Sequence, residues 1–196
     1  MKRTTLFSLV LLIVAGCAGA ASASSLTGST VNWQYYAYGG AYNNNFGGGT
    51  SSGSFVVACT SCGDFDGYFT IDAGPNSITF DYSVCATTGE CPNTWANSVL
   101  SLAPTIYNGI DLLFSGGPTL TSVTIDPATN MVGFNSSFFS FTGGEIQVDW
   151  HQLPFDSTTI VKLDVNGTST PEPGSLLLLG SGIVGLAGFA RRKFNR

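Results

Sequence analysis

The stretch Val31-Asn32-Trp33-Gln34-Tyr35-Tyr36 decides the fold class. Large apolar side chains stand at every second position, and amides or a second tyrosine fill the gaps. Successive side chains of a strand point to opposite faces, so this is the pattern of a strand with one buried face. The same period of two recurs further along. Ile78, Phe80 and Tyr82 alternate with Thr79, Asp81 and Ser83; Ile146, Val148 and Trp150 alternate with Gln147, Asp149 and His151. Thr159, Val161, Leu163 and Val165 alternate with Ile160, Lys162 and Asp164. Shorter strands are expected at Phe55–Ala58, Tyr68–Asp72, Ile110–Phe114, Leu120–Ile125, Val132–Asn135 and Phe138–Thr142. Turn signals separate them: Ala73-Gly74-Pro75-Asn76, Gly116-Gly117-Pro118, Asp126-Pro127-Ala128-Thr129-Asn130 and Gly143-Gly144. Strands at this spacing predict an all-β, antiparallel β-sandwich of jelly-roll or immunoglobulin-like type. The stretch Gly39–Gly53 is low in complexity and reads as a long flexible loop.

Composition supports strands over helices. Of the seven Lys and Arg residues, only Lys162 lies between Ser24 and Thr170; of the twelve Asp and Glu, only Glu172 lies outside that span. The body therefore carries eleven acids against one base, a net charge of −10. Such a surface repels nucleic acid and anionic lipid headgroups, so neither is an expected partner. The scarcity of Lys and Glu disfavours long solvated helices. Gly, Ser, Thr and Asn mixed with Phe, Tyr, Val and Ile suit strands and turns. One packed core of single-domain size is expected.

Both ends of the chain read as addresses. Lys2 and Arg3 precede an apolar run, Leu6 to Ala15, and Ala21-Ser22-Ala23 offers a small-residue cleavage site, so residues 1–23 read as a signal peptide. Ala18-Gly19-Ala20 is a second candidate site, and Val14-Ala15-Gly16-Cys17 resembles a lipobox with Cys17 as the acylated residue. At the other end stand Pro171, Glu172 and Pro173, then an uncharged run from Leu176 to Ala190, then Arg191, Arg192 and Lys193. The two prolines break regular structure. A helix over Gly174–Ala190 would span roughly 25 Å, just short of a typical hydrocarbon core. The basic cluster would stay on the cytoplasmic side. The bland reading of this tail is a single-pass anchor. In its order of parts, however, the tail resembles the PEP-CTERM sorting signal of exopolysaccharide-producing Gram-negative bacteria. That resemblance implies recognition by an exosortase, a membrane protease-transpeptidase. Leu26-Thr27-Gly28-Ser29-Thr30-Val31 and Pro127-Ala128-Thr129-Asn130-Met131 are also similar to phrases in PEP-CTERM proteins, without implying an activity. The expected organisation is a signal peptide at 1–23, a β-sandwich ectodomain at 24–168 and a sorting and anchor segment at 169–196, in a chain exported through an inner-membrane intermediate to the surface or matrix.

Four cysteines remain in the body: Cys59, Cys62, Cys85 and Cys91. An even count in an exported chain favours two disulfides over zinc. Three connectivities are open. Cys59-Thr60-Ser61-Cys62 can form the corners of a β-turn, whose ends approach within about 7 Å, and this favours local pairs. Cross-pairs would follow if both cysteine loops met at one end of the sandwich.

Catalytic chemistry is hard to find. Gly49-Thr50-Ser51-Ser52-Gly53 fits G-x-S-x-G but does not stand between a strand and a helix. His151 is placed on an outward strand face beside Glu145, Gln147 and Asp149, a stripe that reads more simply as a solvated sheet face. A glycosidase needs two spaced carboxylates in a cleft, and sequence cannot measure the distance between Glu90 and Glu145. Asp64-Phe65-Asp66-Gly67 supplies two oxygen donors and a turn glycine, but the rest of a calcium loop is missing, so an acidic loop tip is expected. No metal site, cofactor or enzymatic activity is expected.

The aromatic segment is the better site candidate. Alternation sends Trp33 and Tyr35 to one face and Tyr36 and Tyr38 to the other. One pair serves the core, and an exposed pair could stack on sugar rings; packing of all four is the simpler alternative. Two functions follow: a non-enzymatic surface or matrix protein associated with exopolysaccharide, or a secreted carbohydrate-binding or carbohydrate-active protein. The second, in its enzymatic form, requires a deep pocket with paired carboxylates.

Overall fold

The computed structural model describes residues 25–38, 40–43, 49–96, 108–168, 180, 182 and 183. The strands are β1 Thr30–Ala37, β2 Gly40–Ala41, β3 Ser52–Val56, β4 Cys59–Phe65, β5 Phe69–Gly74, β6 Ser77–Asp81 and β7 Asn93–Thr94. They continue with β8 Asn108–Ser115, β9 Thr119–Ile125, β10 Phe139–Thr142, β11 Glu145–Asp149, β12 Pro154–Phe155 and β13 Ile160–Thr168. A one-turn helix α1, Cys85–Thr88, follows β6.

Two antiparallel sheets face each other. The first has the order β10-β11-β8-β1, with β2 and β3 pairing successive parts of the same edge of β1. The second has the order β4-β5-β6-β13-β9. A small third sheet, β7 with β12, belongs to neither. This strand order departs from the immunoglobulin arrangement, in which the first strand lies at a sheet edge. Here β8 pairs with β1 along its whole length, so β1 lies inside its sheet.

The core is where the sequence pattern places it. Val31, Trp33, Tyr35 and Ala37 of β1 are buried, as are Ile110 and Leu112 of β8 and Ile146 and Val148 of β11. They meet Phe69, Ile71, Ile78, Phe80, Val161, Leu163 and Val165 of the second sheet. Both open sides between the sheets are bridged. Thr50 N donates to Asp64 O at 2.8 Å on one side, and Leu120 N to Gly143 O at 2.8 Å on the other. At the first corner the Trp33 indole sits between two glycines. A Cβ on Gly53 would lie 2.8 Å from Trp33 Nε1, and one on Gly63 would lie 3.0 Å from it. These glycines are needed for space and not for flexibility. Accordingly, the glycine-rich stretch is not loop throughout: it contains β2 and runs into β3.

Other expectations are corrected. Val132–Asn135 forms turns and no strand: Val132 is exposed, while Met131 before it is buried and Phe134 packs partly buried against the core. The cysteine segment Cys59–Phe65 is a bulged strand and not a free turn: Cys59 pairs with Ala73 but Gly63 already pairs with Ile71. β7 and β12 are too short for periodicity to reveal.

Polar groups inside the core are linked. Trp150 Nε1 donates to Tyr35 Oη at 3.0 Å, and Tyr35 Oη donates to Asn108 Oδ1 at 2.6 Å. Trp95 Nε1 donates to Tyr82 Oη at 3.2 Å. Burial raises the pKa of both Tyr35 and Tyr82 well above the ordinary phenol value. Tyr35→Phe removes the acceptor of Trp150 and the donor to Asn108, and should destabilise by about 1–3 kcal/mol in denaturant unfolding. A loss indistinguishable from zero would mean that this relay contributes nothing.

Candidate functional site

The two faces of β1 are set by the pleat. Trp33 and Tyr35 are buried, so neither has a ring face for a ligand, and the stacking role considered for all four aromatics is withdrawn for these two. Tyr35 stacks on Phe65 at 3.7 Å between ring centroids. Tyr36 is half-buried on the outer face, and Tyr38, just past the strand end, is 71% exposed. The Tyr38 ring lies 6.4 Å from that of Tyr42.

Around Tyr36, register assembles a polar surface. Across the outer face of the first sheet, Ser52, Gln34, Asp111, Gln147 and Ser140 stand in one row. Ser54, Asn32, Leu113, Glu145 and Thr142 form the next. The Gln34 amide donates to the carbonyls of Tyr35, Tyr42 and Ser51, which ties the β1 edge to the chain around β2 and β3.

Two carboxyl groups meet on this face. Asp111 on β8 hydrogen-bonds Glu145 on β11. Burial, then the neighbouring Glu145 charge and that hydrogen bond, push the Asp111 carboxyl up to about 7. Asp111 Oδ1 is buried and makes no hydrogen bond. Gln147 Nε2 donates to Glu145 Oε1. The Tyr36 phenol is also raised, by partial burial and then by Asp111 and Glu145. Among the described residues no Lys or Arg side chain balances this pair: Lys162 lies on the second sheet, with Nζ 2.8 Å from Asp126 Oδ2. Asp111 was not singled out from sequence. Its polar position in an apolar strand was visible, but its nearness to Glu145 depends on β8 and β11 being neighbours.

The remaining candidates occupy other places. Strand β11 ends at Asp149, so His151 lies in the following turn and not on a strand face. Its Nδ1 is 2.8 Å from Asp149 Oδ2, and its ring packs 5.7 Å from Phe138. Glu90 is hydrogen-bonded to Tyr68 and is not brought to Glu145. Asp64 Oδ1 accepts from Gly67 N at 2.9 Å, closing the β4–β5 turn. No cluster able to hold a metal ion occurs among the described residues. Both disulfides are local, Cys59–Cys62 and Cys85–Cys91. The first closes the bulge of β4, and the second ties α1 to the segment before β7. Pro171, Glu172, Pro173, Arg191, Arg192 and Lys193, like residues 1–23, lie outside the described residues. Among those described, no helix is long and apolar enough to cross a membrane.

The raised Asp111 carboxyl makes a signed prediction. The folded state holds its proton up to about pH 7, whereas the unfolded chain releases it near 3.8. This group's contribution to stability is fully present below the lower value and is lost as pH rises through the upper one. Asp111→Asn should therefore stabilise the protein at pH 8.5, by on the order of 1 kcal/mol once solvent screening is allowed for. At pH 4 it should change little. Equal effects in thermal melts at the two pH values would contradict the shared-proton arrangement.

Comparison with known proteins bears on the tail alone. Residues 169–193 match the family model of the PEP-CTERM protein-sorting motif. No curated protein and no solved structure matches the chain. The match begins at the residue after Thr168, where β13 ends. It contains Pro171, Glu172, Pro173, Arg191, Arg192 and Lys193, and it implies export, a membrane-anchored intermediate and processing by an exosortase. The chain thus consists of an all-β body followed directly by a PEP-CTERM sorting motif.

Proposed function

We propose that this protein is a non-enzymatic component of the cell surface or extracellular matrix, associated with exopolysaccharide. The observation that carries this reading is the sorting motif at residues 169–193. Two features of the body support it. The net negative body disfavours anionic partners. The Asp111 and Glu145 carboxyls neighbour each other on the outer face of the first sheet, whereas a glycoside hydrolase sets its two carboxyls on either side of a bound sugar in a cleft. On this reading Tyr36 is the aromatic contact on the outer sheet face, with amides of that face hydrogen-bonding ring hydroxyls, and Tyr38, past the end of β1 and beside Tyr42, is a second, separate ring. Stacking on an open face buries little ligand, so affinity is weak, and it uses no ion pair, so salt changes it little.

Sorting is tested in a host with the matching exosortase. Replacing Pro171, Glu172 and Pro173 with alanine should retain the full-length chain in the membrane fraction. Wild-type protein should be released without the segment after the motif; an intact C-terminus by mass spectrometry of the released protein contradicts this. Glycan contact is tested on the producer's own polysaccharide. Tyr36→Ala, on a half-exposed side chain, should fold normally and weaken binding by about three- to tenfold, the range expected of one aromatic contact. Unchanged binding in folded Tyr36→Ala and Tyr38→Ala variants rejects the stacking face. Hydrolysis of the polysaccharide by the wild type, abolished in Glu145→Gln, rejects the non-enzymatic reading.

A further inference from the structure

The sheet formed by β7 and β12 is not needed to close the sandwich, yet it borders an open groove of about 680 Å³. That volume lies within the range of small-molecule sites. Its walls are held in place from three directions. The Cys85–Cys91 disulfide fixes the chain next to Pro92, on the rim. On the opposite rim, Asn130 Nδ2 donates to Thr158 O at 2.8 Å, and Asn130 Oδ1 accepts from Ile160 N at 2.6 Å. Asp156 Oδ1 accepts from Thr158 N at 2.8 Å and from Thr158 Oγ1 at 2.7 Å, which rigidifies the turn between them. The Phe155 ring is buried against the core, stacked on Trp95 at 4.8 Å. A groove so fixed loses little conformational freedom on binding.

Its lining narrows the ligand. Val132 is 73% exposed, and with Pro92 and Pro154 it offers apolar surface. Asn93 and Thr94 add an amide and a hydroxyl. The Asp156 carboxylate is part of the lining, and its bonds to Thr158 N, Thr158 Oγ1 and Thr159 Oγ1 use Oδ1, so Oδ2 is left out of them. Among the described residues, none of the lining side chains is cationic. An anionic ligand would meet the Asp156 charge, and an apolar one would desolvate these polar groups without replacing their hydrogen bonds. A sugar ring meets both demands, with C–H faces for the apolar surface and hydroxyl donors for the carboxylate.

We propose that this groove is a saccharide-binding site that takes a short run of neutral sugar units from an extracellular polysaccharide, separately from the tyrosine face of the first sheet. The polysaccharide as the source of those units rests on the proposed surface role; the groove itself uses neither Tyr36 nor Tyr38.

The test titrates the isotope-labelled exported protein with neutral oligosaccharides released from the producer's polysaccharide, and with cellohexaose and maltohexaose. Oligogalacturonate is the anionic control. Amide shifts should change at Thr94, Val132, Thr158 and Thr159. Asp156→Asn keeps the Oδ1 acceptor of the turn while converting Oδ2 to a donor, and should weaken binding at least fivefold. Val132→Ala should weaken it less, and Tyr36→Ala should leave the groove shifts unchanged. Shifts confined to the outer face of β1, β8 and β11 would overturn the groove and leave the tyrosine reading standing. Groove shifts with polysaccharide affinity unaltered by Tyr36→Ala and Tyr38→Ala would support the groove and remove the tyrosine face. No shift with any neutral probe, or equal shifts with oligogalacturonate, would overturn the proposal.

Discussion

The structure depends on a set of aromatic rings whose polar atoms are satisfied inside the core. Trp150, from the turn after β11, reaches Tyr35 on β1, and Tyr35 reaches Asn108 at the start of β8. Asn108 also donates through Nδ2 to Ala96 O, and its own N–H donates to Asp149 Oδ1. Phe69 and Phe80 of the second sheet pack edge-on against Trp150. One network thus joins three strands of the first sheet to two of the second. Such a network fixes which strands neighbour each other, because a slip of one residue would leave indole and amide groups buried without partners.

Once that register is fixed, the outer face of the first sheet is fixed too. Asp111 stands opposite both Gln34 and Gln147, and its carboxyl reaches Glu145. Burial and then the nearby Glu145 charge disfavour the ionised Asp111 carboxyl, which therefore keeps its proton up to about pH 7. The body has no spare cation to offer, since its one lysine is engaged with Asp126. The polar surface around Tyr36 is therefore a surface of acceptors, amides and hydroxyls.

Body and tail divide the work. The motif at 169–193 sets the route of export and processing, and it starts where β13 stops pairing with β9. Nothing in that address specifies the body, and an all-β body hosts many functions. The sorting motif carries the proposed surface role, and the proposed sugar contacts are argued from the body: the outer sheet face around Tyr36 and the groove beside β7 and β12.

The sequence by itself determined the strands with long apolar alternation, namely β1, β6, β11 and β13, and the division of the β1 side chains into two faces, but not that the face of Tyr36 is left partly exposed. Those follow from the two-residue pleat, a local property. It also determined the sorting motif, which is read as a linear string, and the presence of two disulfides. Only the tertiary structure decided the strand order, and hence the meeting of Asp111 with Glu145, because their separation in sequence carries no information about which strands are neighbours. It decided that Cys59 and Cys62 close a bulge paired to β5, and that Gly53 and Gly63 make room for an indole. It also moved His151 off the strand face into a turn, since β11 loses its partner after Asp149 opposite Gly109. The short strands β7 and β12 have no periodicity of their own. They exist because the chain on either side is held by a disulfide and by side-chain bonds to backbone, and those contacts span distances that a local pattern does not encode.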